Sequence, residues 1–303
     1  MKRLNAWKAE ASLMLVTLIW GATFLFTKIG LNDAPPSLYI ILRFAIALIL
    51  CFIVFGKYYK KFDSLIIKQG LVLGVLFGVG FLLQTYGLKY TSVSKSAFIT
   101  GMTVPITPFV FFFIRRKKIA VWSIIGVVIS TVGLYIFTNP VFNEINFGDI
   151  FTLLSCFCWS FYITFMDVFT KNRTTTGESA QILMLQFAGA LPLAVVAFFI
   201  FDFHTVFLNP SVNLMISLAF NAMMASFLVT FIHTSVQKYT TPVKAALIFS
   251  LEPIIASILS ILILKEIFGF REYLGGIILF SGVIISEIGE FVFNKIKRLI
   301  RLN

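Results

Sequence analysis

Glu252 is the residue of this chain whose surroundings most call for an explanation. It lies roughly midway through the apolar run 243–264 and is followed directly by Pro253. A charge in such a run costs free energy unless it faces a cavity or a partner. A carboxyl group that does face a cavity can take up and release a proton. Pro253 has no N–H to give to the Phe249 carbonyl, so the helix is expected to open beside the acid. The plainer alternative makes Glu252 a brace, paired with Arg43 or Lys28 or capping the freed backbone groups.

Other polar residues are spaced to join it. Gln84 and His233 each precede a lysine by five residues (Lys89 and Lys238), and at matched positions they are expected to face one another across a cavity and bind a polar solute. Trp20, Trp159 and Tyr162 supply an aromatic lining for amphipathic solutes, or else ordinary packing. Lys95 and Lys244 each stand at a helix start. They read as cationic gates for anionic or zwitterionic solutes, or as snorkelling lysines at helix ends. Pro105 and Pro253 are the expected helix hinges. His233 and His204 are the only histidines, so no metal site is expected, and no cofactor is called for.

The elements that carry these residues follow from composition. Of 303 residues, 59% are hydrophobic and 13% are charged, whereas a soluble domain carries about 25% charged residues. The chain therefore reads as an all-α integral membrane protein, with the lipid bilayer as its partner. A membrane helix needs about 20 apolar residues. Candidate spans run over 11–30, 36–56, 68–88, 95–114, 119–138, 148–169, 180–201, 212–236, 243–264 and 271–290, ten in all. Gly70, Gly74 and Gly78 recur every fourth residue and mark a helix-packing face. Cys51, Cys156 and Cys158 lie in apolar runs and suggest no disulfide framework.

Charge fixes the expected orientation. If the N-terminus is cytoplasmic, the inner segments hold Lys2, Arg3, Lys8, Lys57, Lys60, Lys61, Lys68, Arg115, Arg116, Lys117, Lys118, Lys171, Arg173, Lys238, Lys244, Lys295, Lys297, Arg298 and Arg301. The outer segments hold only Lys89, Lys95, Lys265 and Arg271. The positive-inside rule then places both termini in the cytoplasm. These short basic clusters between apolar runs look like membrane loops and give no nucleic-acid surface.

The chain also repeats itself. Tyr90-Thr91-Ser92-Val93-Ser94-Lys95-Ser96-Ala97 is echoed by Tyr239-Thr240-Thr241-Pro242-Val243-Lys244-Ala245-Ala246, and Val104-Pro105 by Glu252-Pro253. Trp20-Gly21 answers Trp159-Ser160, Leu42-Arg43-Phe44 answers Leu185-Gln186-Phe187, and Gly126 and Gly133 answer Gly275 and Gly282. A fixed-period echo of this length points to a doubled chain. Residues 1–140 form the first expected five-helix unit, 147–293 the second, and 294–303 a basic cytoplasmic tail. Five spans per unit is an odd number, so the second unit enters the membrane from the opposite side. Such inverted repeats belong to secondary transporters, with the substrate site near the midplane.

On the residues Gly87-Leu88-Lys89-Tyr90-Thr91-Ser92, Pro105, Ser250-Leu251-Glu252-Pro253, Lys265-Glu266 and the paired Trp20 and Trp159, the chain resembles the drug/metabolite transporter superfamily in its EamA branch. The resemblance covers about 11–290. It implies a transporter in the cytoplasmic membrane that moves small organic metabolites by alternating access. Amino acids or related compounds, exported by proton coupling or exchange, are the commonest association. A multidrug or vitamin/nucleoside-type carrier of the same fold is the alternative. Many repeats of this family end their fourth helix on a Gly-Glu pair. Here Glu266 keeps the acid while the first half has Arg116-Lys117, which points to a role in turn structure or topology. No Gly-x-x-x-x-Gly-Lys-Ser/Thr run supports ATP-driven transport, and no paired nucleophile and base supports an enzyme.

Overall fold

The computed structural model describes residues 6–59, 61–138, 146–173, 175–265 and 269–300. The expected junction at Pro140 and the residues Lys2, Arg3, Lys60, Glu266 and Arg301 lie outside them. Among the described residues every regular element is helical: α1 (Ala6–Gly30), α2 (Pro36–Phe55), α3 (Ser64–Tyr90), α4 (Val93–Thr100), α5 (Thr103–Arg115), α6 (Val121–Thr138), α7 (Phe147–Thr170), α8 (Thr176–Ala197), α9 (Val212–Ala219), α10 (Val229–Val236), α11 (Pro242–Phe249), α12 (Glu252–Leu259) and α13 (Phe270–Ile300). A π-helical stretch, Phe220–Leu228, joins α9 to α10, and another, Ser260–Leu264, extends α12.

Among the described residues, eight continuous helical stretches are long and apolar enough to cross a membrane: Ala6–Gly30, Pro36–Tyr58, Ser64–Tyr90, Val93–Arg115, Phe147–Thr170, Thr176–Thr205, Val212–Tyr239 and Pro242–Leu264. Val121–Phe137 is a shorter apolar helix. The two remaining expected spans are α6 and α13, which pack on each other, and α13 continues past the expected limit to Ile300.

The echoed Tyr-Thr turns are helix starts. The Ser92 hydroxyl accepts from the Lys95 amide, and the Thr241 hydroxyl from the Lys244 amide, each at 3.2 Å. These side chains take up amide donors that the first helical turn leaves without partners. Both spans that begin there then break. The first breaks at Gly101-Met102 and the second at Ser250-Leu251, and each crosses the gap on a tightened bond, Met102 N to Ile99 O at 2.9 Å and Leu251 N to Ile248 O at 3.2 Å.

Pro253 therefore does not lie inside a helix, as its sequence position suggests. It is the second residue of α12, where the missing N–H removes no intrahelical bond. Pro105 likewise lies in the first turn of α5, while Pro108 is the proline inside that helix.

Small residues set the helix contacts. Gly70, Gly74 and Gly78 of α3 face Leu185, the Gln186–Gly189 backbone and Ala190 of α8. Gly126 of α6 meets the Gly282 carbonyl of α13, and Gly133 meets the Gly275 carbonyl, so these two helices run antiparallel with their glycines exchanged. A methyl group at Gly133 would collide with the Leu279 amide nitrogen, whereas one at Gly276 meets nothing within 4 Å. Gly133→Ala is expected to lower the unfolding midpoint in detergent, at a cost of about 1–3 kcal/mol for overpacking against backbone. Gly276→Ala should hold or raise it, since alanine is the better helix former. Equal midpoints for the two variants would contradict this account of the α6–α13 contact.

Candidate functional site

The two helix breaks lie against one cavity. Its walls are Trp20, Thr23 and Phe24 from α1, Phe81 and Gln84 from α3, and Trp159, Tyr162 and Ile163 from α7. The first break adds Thr100, Gly101, Thr103 and Val104, and the second adds Ala246, Phe249, Ser250, Glu252 and Pro253. The space open to the centre of a water molecule is about 50 Å³. Since one water needs at least about 10–15 Å³ on that measure, the cavity has room for only a few.

The carbonyl that takes the tightened bond at each break is also approached by a side chain from a neighbouring helix. Cys156 Sγ of α7 lies 3.2 Å from Ile99 O, and Thr17 Oγ1 of α1, which donates to Leu13 O at 2.8 Å, lies 3.4 Å from Ile248 O. The same two helices press on the first residues of the second half-helices. Ser160 Oγ reaches Thr103 O at 3.4 Å, and a methyl group at Gly21 would lie 3.0 Å from Glu252 O. That last contact leaves no room for a larger residue at Gly21.

Glu252 is the charged residue of the lining, with only 8% of its surface exposed. Among the described residues no cation lies within ion-pair distance of its carboxylate. The bracing partners that the sequence offers are engaged elsewhere. Arg43 donates from Nε to Ser226 Oγ at 2.7 Å with its guanidinium over the Phe81 ring, and Lys28 Nζ donates to the carbonyls of Leu88 and Thr91, each at 2.8 Å.

The other expected residues divide. Gln84 lines the cavity and donates to Thr100 Oγ1 at 3.0 Å. Trp20, Trp159 and Tyr162 also line it, but on different terms. Trp20 Nε1 donates to the Ala225 carbonyl in the π-helical stretch at 2.9 Å, and the Tyr162 hydroxyl donates to Gln186 Oε1 at 2.6 Å. The indole N–H of Trp159 is buried with no acceptor among the described residues, and the same holds for the Thr103 hydroxyl.

His233 does not face Gln84. It is fully buried behind the wall, edge-on to Trp20, Tyr162 and Phe249, with Nε2 2.8 Å from Gln237 Oε1. The aromatic layer fills the space that would bring the two together.

Lys95 and Lys244 also lie outside the lining, at opposite ends of the structure. Lys95 Nζ pairs with Asp149 Oδ2 at 2.7 Å, and Lys244 Nζ with Glu10 Oε1 at 3.4 Å. A threonine braces each acid: Thr91 donates to Asp149 Oδ1 at 3.0 Å and Thr240 to Glu10 Oε1 at 3.2 Å. The sequence reading expects openings at Pro105 and Pro253; the breaks lie a few residues before them, and Thr103, Phe81 and Phe249 as lining residues escaped it. Thr103 had a signal: at the 149-residue offset of the Tyr-Thr turns it stands opposite Glu252, although matching the prolines sets Val104 there.

The two tryptophans allow a discriminating test. Trp20→Phe breaks a buried hydrogen bond and is expected to lower the unfolding midpoint, a cost of about 0.5–1.5 kcal/mol. Trp159→Phe removes a donor that no described residue accepts from, so its midpoint should fall less than that of Trp20→Phe while ligand-induced stabilisation falls. Thermal unfolding of both variants with and without a bound solute checks the contrast.

Residues 7–139, and again residues 146–287, match the EamA-like transporter family. An uncharacterized transporter of Archaeoglobus fulgidus is 28% identical over 280 residues, covering 92% of this chain and 86% of that protein. The uncharacterized transporter YoaV of Bacillus subtilis is 26% identical over 302 residues, covering 96% of this chain and 99% of its own. One solved crystal structure superposes with a TM-score of 0.71 over 92% of this chain and 98% of that one, at 14% identity, a likeness of fold alone. Two family matches that together span nearly all of the chain settle the kinship: the protein belongs to the EamA-like transporter family.

Proposed function

We propose that this membrane transporter is a secondary carrier that exports small organic metabolites, amino acids and related compounds foremost, across the cytoplasmic membrane by alternating access. The observation that carries the reading is the pair of latches at the two ends of the structure. Thr91, Lys95 and Asp149 at one end correspond residue for residue to Thr240, Lys244 and Glu10 at the other. A carrier that opens to one side at a time needs a closure at each mouth, and a doubled chain supplies the same closure twice.

In this reading, residues 1–140 and 147–293 are inverted five-span units that make ten spans in all, with both termini and the basic end 294–303 in the cytoplasm. The Lys95 latch then closes the outer mouth and the Lys244 latch the inner one. With both latches formed, the small cavity between them is an occluded compartment. Its chemistry suits an amino acid: Glu252 for an ammonium group, the Trp20 and Trp159 faces to hold a cation, and the Trp159 N–H and Thr103 hydroxyl for a carboxylate. When no ammonium is bound, Glu252 takes the coupling proton.

Accessibility of the cavity tests the latches. In a background lacking the three cysteines, Thr103→Cys is probed from outside with a membrane-impermeant thiol reagent. Lys95→Gln should speed labelling and Lys244→Gln should slow it. Changes of the same sign in both variants would end the assignment of the two latches to opposite mouths.

The proton role is tested at Glu252 in proteoliposomes with an imposed proton gradient. Glu252→Gln is expected to abolish gradient-driven accumulation, while exchange continues only at higher solute concentration because the amide still accepts a hydrogen bond from the ammonium group but carries no charge. A wild-type pH profile in a well-folded variant would leave the residue a structural part of the α12 start.

A further inference from the structure

A second cavity, of about 250 Å³, opens at the Lys244 end. Its walls carry Arg115 of α5, Lys117 and Lys118 beyond it, Asp167 and Lys171 at the end of α7, and Lys244 at the start of α11. Five cations therefore face one carboxylate across this space. Asp167 is matched to Lys171 at 3.7 Å, and Lys244 is matched to Glu10. Arg115, Lys117 and Lys118 have no carboxylate within ion-pair distance among the described residues. The Arg115 Nε is moreover a buried donor with no acceptor among them.

An excess of positive charge held in a concave, partly desolvated space raises the local concentration of anions. A guanidinium and ammonium groups together suit the oxygens of a phosphate, and the N-terminus of α11 adds its partial positive charge at the same wall. The volume is just below the range typical of small-molecule sites, which starts near 300 Å³, and so fits a headgroup-sized anion.

We propose that this basic vestibule is a binding site for a phosphate group, separate from the central cavity. The group comes either from an anionic phospholipid of the adjoining leaflet or from a soluble phosphate compound. Only the placing of this mouth in the cytoplasm rests on the proposed orientation; the site itself does not. An anion held beside Lys244 would compete with Glu10 for that lysine and so loosen the latch.

Two probes distinguish the sources, both applied to the full chain in detergent. Native mass spectrometry with phosphatidylglycerol against phosphatidylcholine reads the lipid source, and thermal shift with inorganic phosphate against chloride at matched ionic strength reads the soluble one. The expected result is selective retention of phosphatidylglycerol, or stabilisation by phosphate. Whichever is seen should weaken roughly tenfold in Lys117→Gln/Lys118→Gln, because each lysine near an anionic group contributes to such binding. Both lysines are exposed, so the double variant keeps its packing. Asp167→Asn should act in the opposite direction and tighten binding, which a folding defect would not do. Equal retention of both lipids together with no phosphate effect, or binding unchanged in the lysine variant, would overturn the proposal.

Discussion

In hydrocarbon, a backbone polar group without a partner costs several kcal/mol, and this constraint organises the structure around its two broken helices. A span interrupted at Gly101-Met102 or Ser250-Leu251 exposes carbonyls at the end of one half and amides at the start of the next. Such a break is tolerated only where protein or a wet cavity can receive those groups. Tightened bonds across each gap answer much of the demand, and Cys156 adds a second contact to the Ile99 carbonyl. The central cavity lies against both breaks. Its position follows from the breaks, and the aromatic walls close round them.

Because the breaks occur twice, most of the supporting contacts occur twice as well, but the residues at matched points differ. Glu252 opens α12 where Thr103 opens α5, Gly21 stands where Ser160 stands, and the indole of Trp20 is engaged where that of Trp159 is not. Two halves with identical chemistry would give a site with no preferred direction for charge. Placing the single carboxylate in one half makes the cavity polar along its length. Away from the breaks, α6 and α13 meet backbone to backbone through exchanged glycines.

The exits of the broken spans carry a similar message. Among the described residues, Arg116 and Lys265 are the non-glycine residues with left-handed backbone, at φ 51° and φ 59°, and they stand 149 residues apart. A glycine would adopt that conformation without steric cost, which gives a physical reason for the glycine that many repeats of the resembled family have at this point. In this chain a long basic side chain accepts the strain, and it keeps a charge at the end of the span.

The sequence by itself determined the features that depend on composition and chain order: an all-helical membrane chain, the approximate limits of its helices, the helix starts at Tyr90-Thr91-Ser92 and Tyr239-Thr240-Thr241, and the presence of Glu252 in an apolar span. These were legible because desolvation and helix capping act locally. Which side of each helix faces the cavity was decided only by tertiary packing. The spans are apolar nearly all round, so no amphipathic stripe marks their inner face, and the neighbours settle the rotation. For that reason His233, matched to Gln84 along the chain, ended behind Trp20 and Phe249. Lys95 and Lys244 found acids on α7 and α1, far away in sequence, and were drawn out of the lining. Thr103 entered the lining because the break before it, at Gly101-Met102, depends on contacts from α7 that no local pattern encodes.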